Sequence, residues 1–135
     1  MTWTPVTTDA HLQRYQTLLD NERAYDGSSV ELLRRLQARG DSLWLYDDGS
    51  NQVALCCGFT PARIINAVCH GPATGKEFCD IVMSQVRPMM KVRNITSWRT
   101  KSAATYSTRE MRDVFTAIEQ LPEIQSPQFD IAAES

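Results

Sequence analysis

The sequence predicts an α/β (α+β) fold, with helices packed against one mixed, mostly antiparallel sheet in the order β-α-α-β-β-β-α-β-α. Three observations carry this expectation. Apolar residues recur at helical spacing before residue 40, fall into short strand-like runs between 43 and 69, and return to helical spacing after 75. Turn residues separate the strand-like runs closely enough to make an antiparallel meander. A helical run then links the third of those strands to a β-prone segment near residue 96, and a helical crossover places two such strands parallel.

Residues 2–6 suit a short strand. Asp9 is a good N-cap for a first helix, whose apolar stripe is Leu12, Tyr15, Leu18 and Leu19. Tyr25-Asp26-Gly27-Ser28 breaks it, and Ser28-Ser29-Val30-Glu31 reads as a capping box for a second helix carrying Leu32, Leu33 and Leu36. Gly40 is its expected stop. Leu43 to Tyr46 reads as a strand, Asp47 to Asn51 as a hairpin turn around an Asp-Gly pair, and Val53 to Phe59 as a nearly all-apolar strand covered on both faces. Thr60-Pro61-Ala62 turns the chain into a third strand, Arg63 to Cys69. Phe78, Ile81, Val82, Val86 and Met90 then mark a helix from about 75 to 87, which Pro88 should end or bend, with a continuation to about 92. Residues 95–100 are β-prone. Ser107 to Glu110 makes a second capping box, followed by the stripe Met111, Val114, Phe115, Ile118 and Leu121. Residues 1–122 read as a single domain, and 123–135 as a polar C-terminal tail or a short closing strand.

With 42% apolar and 22% charged residues, the 135-residue chain belongs with globular rather than disordered proteins. A net charge of −2 argues against a nucleic-acid or membrane-surface binder. No apolar run approaches the length that spans a bilayer, and Met1 to Val6 lacks the basic start and apolar stretch of a secretion leader. The expected location is cytoplasmic. Cys56, Cys57, Cys69 and Cys79 lie within apolar runs, which suits free buried thiols, and their spacing with His70 supports no zinc site. Arg87, Lys91, Arg93, Arg99, Lys101, Arg109 and Arg112 make up seven of the 14 Lys and Arg residues, a solvated face or a contact for phosphates or an acidic partner. Trp98 within this stretch reads as core, with stacking on a base as the other reading.

The segment Cys69-His70-Gly71-Pro72-Ala73-Thr74-Gly75-Lys76 closes a strand and opens a helix. Free backbone N–H groups at such a junction can hold a phosphate, and Lys76 can pair with one. The plainer reading is an ordinary turn in which Gly71-Pro72 ends the strand and Thr74 caps the helix. His70 is either a base, since free imidazoles titrate near neutrality, or a ligand contact or a polar strand end.

The element order, and the opening Trp3-Thr4-Pro5-Val6-Thr7-Thr8-Asp9-Ala10, resemble the GCN5-related N-acetyltransferase (GNAT) fold over roughly residues 2–115. The resemblance implies an acetyl-CoA-dependent N-acetyltransferase acting on an amine of unknown acceptor. It implies a diphosphate cradle formed by His70, Gly71, Thr74, Gly75 and Lys76, no metal, and Tyr106 as the acid that protonates the leaving thiolate. Residues depart from the family pattern at several points. The two loop glycines are four apart, Pro72 removes an amide donor, residues 63–69 contain no carboxylate, and Arg99-x-x-Ser102-x-x-x-Tyr106 keeps only the end of the family's helix motif. Tyr106 also fits a hydrophobic staple against Met111. These departures leave a second reading: a catalytically inactive interaction or structural protein on the same scaffold, such as a bacteriophage virion protein, with a protein partner in place of acetyl-CoA.

Overall fold

The computed structural model of the chain describes residues 3–22, 27–100, 102–105 and 109–125. Strand β1 (Trp3–Pro5) leads into α1 (Asp9–Glu22) and α2 (Val30–Ala38). The meander follows as β2 (Ser42–Asp47), β3 (Gln52–Phe59) and β4 (Ala62–His70). Helix α3 (Gly75–Arg93) crosses over to β5 (Trp98–Arg99), and a 3-10 turn (Ala103–Thr105) precedes α4 (Arg109–Glu119) and β6 (Ile124–Gln125). The six strands lie in one sheet in chain order. β1 to β4 pair antiparallel, whereas β4–β5 and β5–β6 are parallel. The mixed, mostly antiparallel sheet is thus the one the sequence pattern predicts, and the crossover through α3 sets its parallel half.

The two faces of the sheet take different helices. Tyr15 of α1 donates its hydroxyl to Asn66 Oδ1 of β4 at 2.9 Å, which fixes α1 over one face. Trp3 Nε1 donates to the Ser84 hydroxyl at 2.9 Å, which fixes α3 over the other. β3 lies between these layers, and Val53 to Cys57 are all fully buried, as a strand covered on both sides must be. Leu12, Tyr15, Leu18 and Leu19 of α1, Leu33 and Leu36 of α2, and Val114, Phe115 and Ile118 of α4 are buried as their spacing predicts.

Several local expectations are corrected. Thr8, not Asp9, caps α1: its hydroxyl accepts the His11 N–H at 3.1 Å, and the His11 ring accepts from the Thr7 and Thr8 amides in return. Ser29 caps α2 by accepting the Leu32 N–H, so Glu31 falls a position early for a capping box and pairs with Arg35 instead. Pro88 does not end α3, which runs on to Arg93 and stops at Asn94 in the left-handed conformation. Burial of Val86, Met89 and Met90 on either side of the proline offsets the one hydrogen bond it forgoes. The fifth strand shortens to Trp98–Arg99, and the segment after Pro122 supplies β6 as a short closing strand. Trp98 is fully buried, which excludes base stacking by its ring.

Candidate functional site

β4 and β5 are joined where Arg63 pairs with Arg99, but β5 ends there while β4 continues to His70. Ile65 makes the divergence sharper. Asn66 pairs with Cys56 and Ile64 with Cys57, so Ile65 has no opposite residue and bulges from β4. A bulge bends its strand and increases its twist. Beyond the bulge, β4 runs on to His70 and its loop without a β5 residue paired to it. Thr100, the residue after β5, is fully buried and its hydroxyl has no partner among the described residues.

The loop after His70 is held from below by the β2–β3 turn. Asn51, itself buried, accepts the Ala73 N–H on Oδ1 at 2.9 Å, and Cys69 Sγ lies 3.9 Å from the same oxygen. Gly71 passes directly over this turn at φ +146°. Of the loop's amides, Ala73 is therefore taken and Pro72 has none. Thr74 occupies the N-cap position of α3 but makes no side-chain capping bond. The first helical hydrogen bond is donated by Phe78 to the Thr74 carbonyl, which leaves the N–H groups of Gly75, Lys76 and Glu77 pointing off the helix end. Lys76 is exposed beside them. The α4 backbone closes one side, since a Cβ at Gly75 would lie 3.7 Å from the Asp113 carbonyl oxygen.

His70 finds a partner that its own strand lacks. Its Nδ1 lies 2.7 Å from Glu22 Oε1 at the end of α1. When Nδ1 carries the proton and donates to Glu22, Nε2 is left as the basic nitrogen. Glu22 thus brings a carboxylate to the end of β4 from the far end of another helix. His70 ends β4, Gly71 and Thr74 lie in the loop, and Gly75 and Lys76 open α3. Tyr106 lies outside the described residues, as does the Met111 side chain of its staple alternative.

The thiols are poor nucleophiles. Burial pushes the Cys56 thiol up to about 12 and the Cys57 thiol well above its ordinary value, and burial followed by the Glu22 carboxylate pushes Cys69 up to about 11. Thiolates at neutral pH are accordingly scarce. Among the described residues no group of three or more His, Cys, Asp or Glu side chains gathers as a metal site, and no helix is long and apolar enough to cross a membrane.

The turn beneath the loop carries a pH dependence. The N–H groups of Asn51 and Ser50, then the Tyr46 hydroxyl, hold the Asp48 carboxyl down at about 2. A lowered carboxyl favours the fold fully above the unfolded value of about 3.9 and ceases to do so as pH falls through about 2. Because Asn51 links Asp48 to Ala73, the backbone amide resonances of Asn51 and Ala73 should move together, with a midpoint near 2. An NMR titration with a midpoint near 4 would contradict this turn geometry.

No family model, curated protein or solved structure matches this chain.

Proposed function

We propose that the chain is an acetyl-CoA-dependent N-acetyltransferase-like domain that transfers acetyl to the amine of an acceptor. One observation carries the reading: β4 and its parallel neighbour β5 pair only beside the Ile65 bulge, and the strand then leads to a helix start without a side-chain cap. An extended pantetheine arm would lie along the free edge of β4. The diphosphate would take the N–H groups of Gly75, Lys76 and Glu77 and the Lys76 ammonium. The donors come from the helix rather than from the loop, because Asn51 already holds Ala73.

In the reaction an acceptor amine attacks the thioester carbon, the C–N bond forms, the C–S bond breaks and coenzyme A leaves as thiolate. His70 Nε2 is the base for the proton the amine loses, with Glu22 orienting the ring. Tyr106 keeps its proposed role as acid toward the thiolate. Proximity of amine and thioester supplies the rest of the rate.

Calorimetric titration with acetyl-CoA tests this reading. Wild-type protein should bind at high micromolar concentration or better, and Gly75→Asp should weaken binding about tenfold or more. An Asp in the first turn favours the helix dipole and its Cβ has room, so the variant should remain folded. His70→Ala should lower turnover by about 10²-fold while leaving acetyl-CoA affinity unchanged. No heat with wild type would sink the reading.

The latch on Ala73 and the α4 wall beside Gly75 favour a second reading, a non-catalytic interaction or structural protein such as a virion component. Failure of the acetyl-CoA titration would leave it standing.

A further inference from the structure

About 15 Å along α3 from Gly75, a cavity of about 320 Å³ opens between this helix and the sheet. Gln85, Pro88, Met89 and Val92 fall three and four apart on α3 and line it from the helix side. Trp44 and Phe59 line it from the sheet. The alternation along β2 explains the slot. Leu43 and Leu45 are fully covered on one face, whereas Ser42 and Trp44, on the α3 face, are only partly covered. At the rim Val92 is 86% exposed, so apolar surface continues from the slot into water.

The polar groups of the slot differ in how they are used. The Ser42 hydroxyl accepts from Trp44 Nε1 at 2.9 Å. Arg93 is exposed to water, and its guanidinium lies over the Phe59 ring, 3.6 Å from the centroid. Gln85 is the exception. It is only 9% exposed, yet its amide makes no hydrogen bond among the described residues. Neither amide atom is sealed inside the core, so both open into the slot that the residue lines. A donor and an acceptor set in apolar surroundings cost stability until something pairs with both.

We infer that this slot binds a small, uncharged, planar ring bearing an amide edge, with the ring between Trp44, Phe59 and Met89 and its C=O and N–H paired with the Gln85 amide. A carboxamide presents an acceptor oxygen and an NH₂ donor side by side, and a second amide satisfies both at once. Aromatic and thioether walls favour a flat ring over an alkyl chain. The volume lies at the low end of small-ligand pockets, which suits one or two rings. Arg93 stays solvated at the rim and leaves the floor of the slot to a neutral group. Aryl carboxamides and ring lactams share this chemistry.

Benzamide is the probe. Titrated to about 10 mM, it should shift the Gln85 side-chain amide and Trp44 indole N–H resonances in NMR spectra and leave the Gly75 amide in place, which separates this slot from the start of α3. Acetophenone has the same shape and the same acceptor but no N–H. Gln85→Met keeps the length of the side chain and its apolar contacts and removes the amide. The ratio of benzamide to acetophenone affinity, measured by calorimetry, should fall about tenfold in Gln85→Met. The same substitution should leave the urea midpoint unchanged or raise it, because it removes an unpaired amide. Tighter binding of 2-pyridone than of benzamide assigns the slot to ring lactams, and the reverse order assigns it to aryl carboxamides. Absence of both shifts at about 10 mM benzamide, or an equal affinity ratio in the two proteins, would overturn the inference. So would a lower urea midpoint in Gln85→Met, or tighter binding of benzoate than of benzamide.

Discussion

Trp98→Ala should destabilise the protein by about 4 kcal/mol, whereas Trp98→Phe should cost less than about 1.5 kcal/mol. Two opposed effects set this difference. The indole is fully buried and meets the Phe59 ring edge-on at a centroid distance of 5.7 Å, so truncation to alanine empties a large space between β5 and the β3–β4 hairpin. Its Nε1 proton, however, is buried without an acceptor among the described residues. An unpaired buried donor costs about 1–3 kcal/mol, and phenylalanine removes that cost while retaining most of the ring contact. Urea unfolding of both variants measures the difference. A Trp98→Ala cost below about 1.5 kcal/mol would mean that the ring is not close-packed.

Much of this fold is legible in local sequence because its elements bury continuous stripes. The all-apolar run from Val53 to Cys57 could only be a strand with cover on both faces, and it is. Gly40 ends α2 as its position suggests, with Gly40 and Asp41 amides donating back to Gln37 and Leu36. Misreadings occur where tertiary packing or a neighbouring residue outweighs a local preference. Met89 and Met90 carry α3 past Pro88, and Thr8 takes the cap that sequence preference gives to Asp9. β6 is too short for any period to register. For the site, the loop from His70 to Lys76 stands out by composition alone, as a glycine-bearing junction of strand and helix. Its supporting residues do not. Glu22 lies 48 residues before His70, and Asn51 lies 22 before Ala73. Neither pairing leaves a trace in spacing, since only the sheet register and the α1 packing bring them together.

Gly71→Ala should cost about 3 kcal/mol and lower Tm by about 10 °C or more, a loss far larger than at the other turn glycine of this region. At φ +146° the backbone already disfavours any side chain. A Cβ there would also lie 2.5 Å from the Ser50 carbonyl oxygen, 2.5 Å from Asn51 Oδ1 and 2.9 Å from Asn51 Cα. Two of those atoms belong to the backbone of the β2–β3 turn, so the clash is relieved only by moving the turn or the loop. Gly49 provides the comparison: φ is +89° but nothing lies within 4 Å of its Cβ position. Gly49→Ala should therefore cost only the conformational part, about 1 kcal/mol. The two variants together separate strain from collision. The collision matters for function because the atom displaced first is Asn51 Oδ1, which holds the Ala73 amide. With that latch moved, the start of α3 shifts relative to the free edge of β4, and acetyl-CoA affinity should fall in Gly71→Ala but not in Gly49→Ala. Equal stability of the two variants would show that the loop does not press on the turn, and the rigid junction between cleft and helix start would then have to be abandoned.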